Sequence, residues 1–179
     1  MVAVGSALVV AVVTSVLTYL TTKRLSRRES QISHVSKQIA SLYGPLHALS
    51  KSGEASFNEF RKEYGQGRLH LLDDPELPAS EAELDAWKYW LKHVFMPINR
   101  KMVEVLMANT DLIEGDDIPN SLLLFCAHVN GYEVTLARWA EDDFSRLTSV
   151  IDHPGDELHV HIAETYRRLK QKQRDLLNG

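Results

Sequence analysis

Residues 32–49 read ISHVSKQIASLYGPLHAL, and the spacing of their apolar side chains decides the fold class. The apolar residues recur at alternating three- and four-residue steps, which is the period of an α-helix that buries one face. No stretch of the chain alternates with the strand period over a useful length. These residues therefore predict a helix with one apolar stripe. The stripe consists of Ile32, Val35, Ile39, Leu42, Leu46 and Leu49.

Three further stretches, at 84–106, 118–139 and 158–176, carry the same spacing. Four helical stretches of this length, joined by polar loops, predict an all-α protein whose main domain is an antiparallel four-helix bundle. Pro45 and Pro97 fall inside two of the stripes. Because proline lacks an amide hydrogen and clashes with the preceding turn, we expect each to kink or split its helix.

Capping and helix-breaking residues between the apolar stripes predict where helices begin and end. Ser80 stands three residues before Glu83, which is the spacing of a capping box at a helix start. No glycine or proline lies between Gly131 and Pro154, so the end of the third helix has no such marker. Aspartates compete for backbone hydrogen bonds, and Asp142 with Asp143 therefore predicts a break near 141–144, although a continuous helix is the alternative.

The first 22 residues contain no charged side chain, and residues 2–20 read VAVGSALVVAVVTSVLTYL. A stretch of this length and hydropathy predicts a transmembrane helix over 1–22. A cleaved signal peptide would place its basic residues before the apolar stretch, whereas here they follow it. A buried core helix is the other alternative, and the apolar character on all faces argues against it.

A basic segment follows the apolar stretch and sets the expected topology. Positive residues stay on the cytoplasmic side, so the N-terminus is expected outside the inner membrane and the rest in the cytoplasm. The domain division is a transmembrane anchor at 1–22, a basic juxtamembrane segment at 23–30 and a bundle at 31–179. This plan resembles that of many small single-pass bacterial membrane proteins. The topology-determining residues are Lys23, Arg24, Arg27 and Arg28.

The predicted span has a row of small residues at four-residue spacing. Small side chains let two helix backbones approach closely in a membrane, so the row predicts a face for self-association. Such residues are also common in membrane helices that do not associate. The predicted association face consists of Ala3, Ala7, Ala11 and Ser15.

Charge and cysteine content exclude several classes of protein. Four of the 20 basic residues lie at 23–28, so residues 29–179 hold 16 basic residues against 24 acidic ones. A domain this acidic repels a phosphate backbone, so we expect no nucleic-acid partner. The single cysteine, Cys126, excludes an intramolecular disulfide and a multi-cysteine zinc site.

The motif search predicts no enzyme and no cofactor. There is no phosphate loop, dinucleotide fingerprint or nucleophile elbow. Eight histidines invite a metal hypothesis, but the Glu-x-x-His spacing of di-iron bundles is absent. His47, His93 and His128 each lie beside an apolar stripe, and the preferred interpretation is that they are partly buried side chains bonded to neighbours.

Several polar residues are wedged into the stripes and predict a buried polar network. Buried polar groups need partners, so such a set can specify the register of the helices. Lining a ligand pocket is the alternative role. The residues are Asn99, Asn109, His128 and Glu133, with Arg100 and Asn130 nearby.

The sequence therefore favours a non-enzymatic helical bundle, anchored to the membrane, that acts by protein–protein interaction as a scaffold, sensor or adaptor. Its expected partners are the lipid bilayer and another protein, or a second copy of itself. The alternative is a toxin-like or phage-defence effector whose transmembrane helix oligomerises and perturbs the membrane. A third hypothesis is an enzyme or ligand-binding protein that uses the polar set around His128.

Overall fold

A computed structural model describes residues 2–65, 78–115 and 117–178, with side chains described from residue 14 onward. These residues form four helical regions and no strand, which confirms the all-α prediction. The first region is α1 (Val2–Lys37), a π-helical segment (Gln38–Tyr43) and α2 (Gly44–Glu63). The second is α3 (Glu81–Trp90), a π-helical segment (Leu91–Phe95) and α4 (Met96–Ala108). The last two are α5 (Asn120–Ala140) and α6 (Asp156–Asn178).

The predicted transmembrane helix is wrong as an element of this fold. Among the residues that the structure describes, none of the helices combines the length and the hydropathy that a bilayer span requires. The described side chains of α1 begin at Thr14, and the first charged residue, Lys23, follows after only nine positions. The remainder of the predicted span, residues 1–13, lies outside the described side chains.

Neither proline splits its helix, because a π-helical segment precedes each one. The Gly44 N–H donates to the Ile39 carbonyl and the Met96 N–H to the Leu91 carbonyl, five residues back. Such a widened turn accommodates the bulk and the missing N–H of the following proline. A Cβ on Gly44 would collide with the Ile39 carbonyl oxygen, so the first π-helical segment requires glycine there.

Side-chain contacts show that the first region runs antiparallel to α6. Contacts join Arg28 to Leu176, Ser36 to Gln173, and Ser50 to His159, so residue numbers rise on one helix as they fall on the other. The second region is also antiparallel to α2, with Gly53 beside Ile98, Phe57 beside Phe95, and Phe60 beside Trp90.

Large apolar side chains from all four regions form the core. Removing such side chains from water is the main stabilising term, at about 1.5–3 kcal/mol for each one fully buried. The largest fully buried ones include Tyr43, Phe60, Phe125, Leu42, Leu46, Leu91, Met96, Leu158 and Ile162.

The capping box and the break after α5 are where the sequence predicts them. The Ser80 backbone N–H donates to Glu83 Oε2 at 2.7 Å, and the Glu83 N–H donates to Ser80 Oγ at 3.3 Å. Helix α5 ends at Ala140, and Asp142 takes a left-handed conformation with φ of 60°. The chain then turns back over α5.

The segment 144–153 is held against α5 and α3 by side-chain hydrogen bonds to its backbone. Trp87 Nε1 donates to the Leu147 carbonyl at 2.9 Å, and Thr135 Oγ1 donates to the Thr148 carbonyl at 3.1 Å. A Cβ on Gly131 would collide with Ser149 Oγ, so glycine at this position lets the segment approach α5. At the end of this segment, the His153 ring lies 5.9 Å from that of Phe125, a buried core residue.

Candidate ligand-binding cavity

A cavity of about 460 Å³ lies between α2, the second helical region, α5 and α6. This volume falls in the range of small-molecule sites, about 300–1,000 Å³. Its apolar lining is mostly aromatic and aliphatic: Leu49, Phe57, Trp87, Leu91, Phe95, Ile98, Met102, Phe125 and Leu158. Its polar lining is Ser50, Glu54, Asn58, Asn99, His128, Tyr132, His153, Asp156 and His159.

The second π-helical segment shapes one wall of the cavity. It contributes Leu91 and Phe95, which are its first and last residues. On the opposite wall, Gly53 of α2 leaves room, because an added Cβ would meet only Ile98 Cγ2, at 3.6 Å. A widened turn on one helix and a missing side chain on the other together keep this space open.

His128 lies on α5 with its ring against the cavity. Its Nδ1 donates a hydrogen bond to the Ile151 carbonyl at 2.6 Å, which leaves Nε2 as the acceptor of the neutral ring. Desolvation by burial lowers the pKa of His128, although the Ile151 carbonyl and Asp152 act in the opposite direction. The Tyr132 ring stands perpendicular to it at 4.9 Å between centroids.

His153 lies in the segment before α6, with its ring 5.0 Å from that of His128. Its Nδ1 accepts a hydrogen bond from the Gly155 N–H at 2.9 Å, so this nitrogen carries no proton. His153 is exposed as a residue, but the protein atoms around its ring desolvate it and lower its pKa to about 4. Repulsion by positive charge on His128 and His159 adds to the effect.

His159 completes the row, with its ring 5.6 Å from His153 and stacked on it. Its Nδ1 lies 2.7 Å from Oγ of Ser50, a buried hydroxyl on α2. Desolvation lowers the pKa of His159, while the Glu54 carboxylate raises it. Lys51 pairs with Glu54 at 2.7 Å on the outer side of α2, and this hydrogen bond lowers the pKa of Glu54.

The three rings therefore enter the cavity as neutral hydrogen-bonding groups at pH 7. The described residues contain no group of three or more His, Cys, Asp or Glu side chains placed to hold a metal ion. The pair of Ser50 and His159 has the distance of a nucleophile and its base, but catalytic bases are oriented by a third group. Among the described residues, no carboxylate is hydrogen-bonded to His159.

The polar residues predicted as one network make separate contacts. Arg100 forms a two-bond ion pair with Glu133 at 2.6 and 2.8 Å, and both side chains are exposed. Asn109 Nδ2 donates to the Val105 carbonyl of its own helix at 2.9 Å. Of the four predicted residues, only Asn99 and His128 line the cavity.

The residues predicted to act at a membrane are placed as follows. Ala3, Ala7 and Ala11 lie outside the described side chains, and Ser15 is exposed. Arg28 Nε donates to the Leu176 carbonyl at 2.7 Å, so this cation stabilises the C-terminal end of α6. The other three basic residues, Lys23, Arg24 and Arg27, are exposed.

Sequence reasoning missed Ser50, His153 and His159 as members of a site. Ser50 and His159 are separated by 109 positions, so only tertiary packing brings them together. One local signal was present, since His153 and His159 flank the start of α6 across Pro154 and Gly155. Two histidines on either side of a helix start can converge on one cavity.

Comparison of the chain with known protein families, with curated proteins and with solved structures finds no match.

Proposed function

We propose that this protein binds a small, largely apolar molecule in the cavity between its four helical regions. The observation that carries the proposal is the cavity of about 460 Å³, apolar over most of its surface, with three histidines converging on one side. Ligand sites in helical proteins combine an apolar lining with a few placed polar groups in this way.

Water alone is a poor occupant of most of this space. Ordered water needs two to four polar partners, and walls such as Phe57, Phe95 and Ile98 offer none. The neutral rings of His128 and His153 supply an acceptor and a donor for the polar end of a ligand. An amphipathic molecule therefore satisfies both parts of the lining.

The partner-binding role inferred from the sequence stays a prediction. A sensor would combine the two activities, because a ligand between α2 and α6 contacts elements that also form the outer surface. Self-association is tested by light scattering over a range of protein concentrations, with and without a bound dye. The effector alternative also stays a prediction, and it depends on a row of residues of which Ala3, Ala7 and Ala11 lie outside the described side chains.

Dye binding tests the proposal. N-phenyl-1-naphthylamine is uncharged and fluoresces strongly in apolar surroundings, and we expect one dye to bind each chain. Gly53→Leu places a side chain in the cavity and is expected to abolish binding. The matched control, Gly53→Ala, adds one methyl group at an ordinary contact distance and is expected to retain it.

The Gly53→Ala control also shows whether a substitution at this position leaves the protein folded. Alanine is favoured over glycine inside a helix by about 0.5–1 kcal/mol, so Gly53→Ala is expected to be at least as stable as the original chain. Equal dye binding by the original chain and by a folded Gly53→Leu variant would place the dye elsewhere and contradict the proposal.

A further inference from the structure

The formally charged side chains among the described lining residues are all acidic. Glu54 and Asp156 are the formally charged side chains among the described lining residues, and neither lysine nor arginine contributes to that lining. Lys51 pairs with Glu54 from outside the cavity. A negatively charged ligand would lose its hydration here without meeting a cationic partner, which is costly.

The aromatic rings of the lining form a continuous surface. Ring centroids are 5.8 Å apart between Phe57 and Phe95, 5.8 Å between Trp87 and Phe95, and 6.5 Å between Trp87 and Tyr132. The face of an aromatic ring attracts a positive charge within about 6 Å, and desolvation strengthens this attraction. Several rings around one space therefore favour an ammonium group.

The three histidines add no positive charge to the cavity at pH 7. The Nδ1 proton of His128 is used by the Ile151 carbonyl, so the neutral ring presents the lone pair of Nε2. His153 Nδ1 accepts a hydrogen bond from the Gly155 N–H, so the single proton of its neutral ring lies on Nε2. The pKa of His153, lowered to about 4, keeps this ring uncharged at pH 7.

From the carboxylates and the aromatic lining together, we infer that the ligand of this cavity is an organic ammonium cation. The carboxylates of Glu54 and Asp156 attract its charge. This inference rests on the proposed function, because it names the ligand class of the same cavity.

Displacement of N-phenyl-1-naphthylamine from the full chain compares three probes of similar shape. They are benzyltrimethylammonium, its uncharged carbon analogue neopentylbenzene, and the anion phenylacetate. We expect the ammonium probe to bind at least about fivefold more tightly than the uncharged one, and phenylacetate to bind most weakly.

Three variants test whether the two carboxylates cause the preference for the ammonium probe. Glu54→Gln and Asp156→Asn keep the shape of each side chain, and each is expected to weaken ammonium binding by about three- to tenfold. Binding of neopentylbenzene should change by less than about twofold in both. Lys51→Met removes the competing cation and is expected to strengthen ammonium binding.

These experiments distinguish failure of the ammonium inference from failure of the proposed ligand binding. The inference is overturned if the dye binds but neopentylbenzene or phenylacetate displaces it at concentrations as low as those the ammonium probe needs. In that case the cavity remains a ligand site. Insensitivity of ammonium binding to both carboxylate variants overturns it as well. If the original chain binds no dye, the proposed function fails together with the inference.

Discussion

The rings of His128 and His153 stand 5.0 Å apart at an angle of 84°, although the two residues belong to different elements. His128 is fixed by its hydrogen bond to the Ile151 carbonyl, two residues before His153. The segment that carries one histidine therefore also orients the other. Placing two imidazoles this close favours their neutral forms, because protonation of one ring opposes protonation of the next.

Stability is expected to decline as the pH falls from about 6.5 to about 4. Folding lowers the pKa values of His128, His153 and His159, chiefly through desolvation. The unfolded chain therefore binds more protons than the folded chain below pH about 6.5, and the free energy of unfolding falls with decreasing pH. Urea unfolding at half-unit pH steps measures this slope.

His153→Asn tests whether protonation of the His153 ring contributes to this loss of stability. The asparagine side-chain oxygen can accept the Gly155 N–H in place of Nδ1, while the titrating ring is lost. We expect a shallower loss of stability between pH 6.5 and 4 than in the original chain. His34→Asn, at an exposed position on α1, is the matched control. If the free energy of unfolding falls with pH at the same slope in the original chain and in His153→Asn, His153 does not contribute to the loss of stability.

Gly131→Ala is expected to lower the free energy of unfolding by about 1–3 kcal/mol, because the added methyl group collides with Ser149 Oγ. Ser149 Oγ also donates to the His128 carbonyl at 3.0 Å and accepts from the Ile151 N–H at 3.1 Å, so it has little freedom to move. Gly53→Ala is the control, since both changes replace a helical glycine. A neutral or stabilising Gly131→Ala would show that the segment 144–153 does not pack closely on α5.

The ion pair between Arg100 and Glu133 is expected to contribute little to stability. Exposed pairs are worth about 0.2–1 kcal/mol, since solvent screens them. Combining Glu133→Ala with His128→Ala should give additive changes, because the structure assigns the two residues to different contacts. A coupling energy above about 1 kcal/mol in the double-mutant cycle would restore the single network predicted from the sequence.

The helices were predictable because their signals are local. The stripe from Ile32 to Leu49, the capping box at Ser80 and the break after Ala140 each depend on neighbouring residues. The π-helical segments before Pro45 and Pro97 were not predicted, because a proline pattern alone does not distinguish a kink from a widened turn. The transmembrane prediction relied on hydropathy, and α1 continues past Lys23 as an ordinary helix of the bundle.

The cavity was only partly predictable. Asn99 and His128 stand out in sequence as polar residues within apolar stripes, and both line it. Their predicted companions Asn109 and Glu133 bond elsewhere, because position along a stripe does not determine which neighbouring helix a side chain meets. The convergence of Ser50, His153 and His159 results from the packing of α6 on α2, and periodicity carries no information about it.

Nuclear magnetic resonance of the histidine rings tests whether a ligand binds in the cavity between the helical regions. N-phenyl-1-naphthylamine is titrated into the protein, and the ring signals are assigned by substitution. We expect the signals of His128, His153 and His159 to shift together at one dye per chain, while those of exposed His34 and His93 stay unchanged. Saturable dye binding with no shift of the three cavity histidines would contradict it.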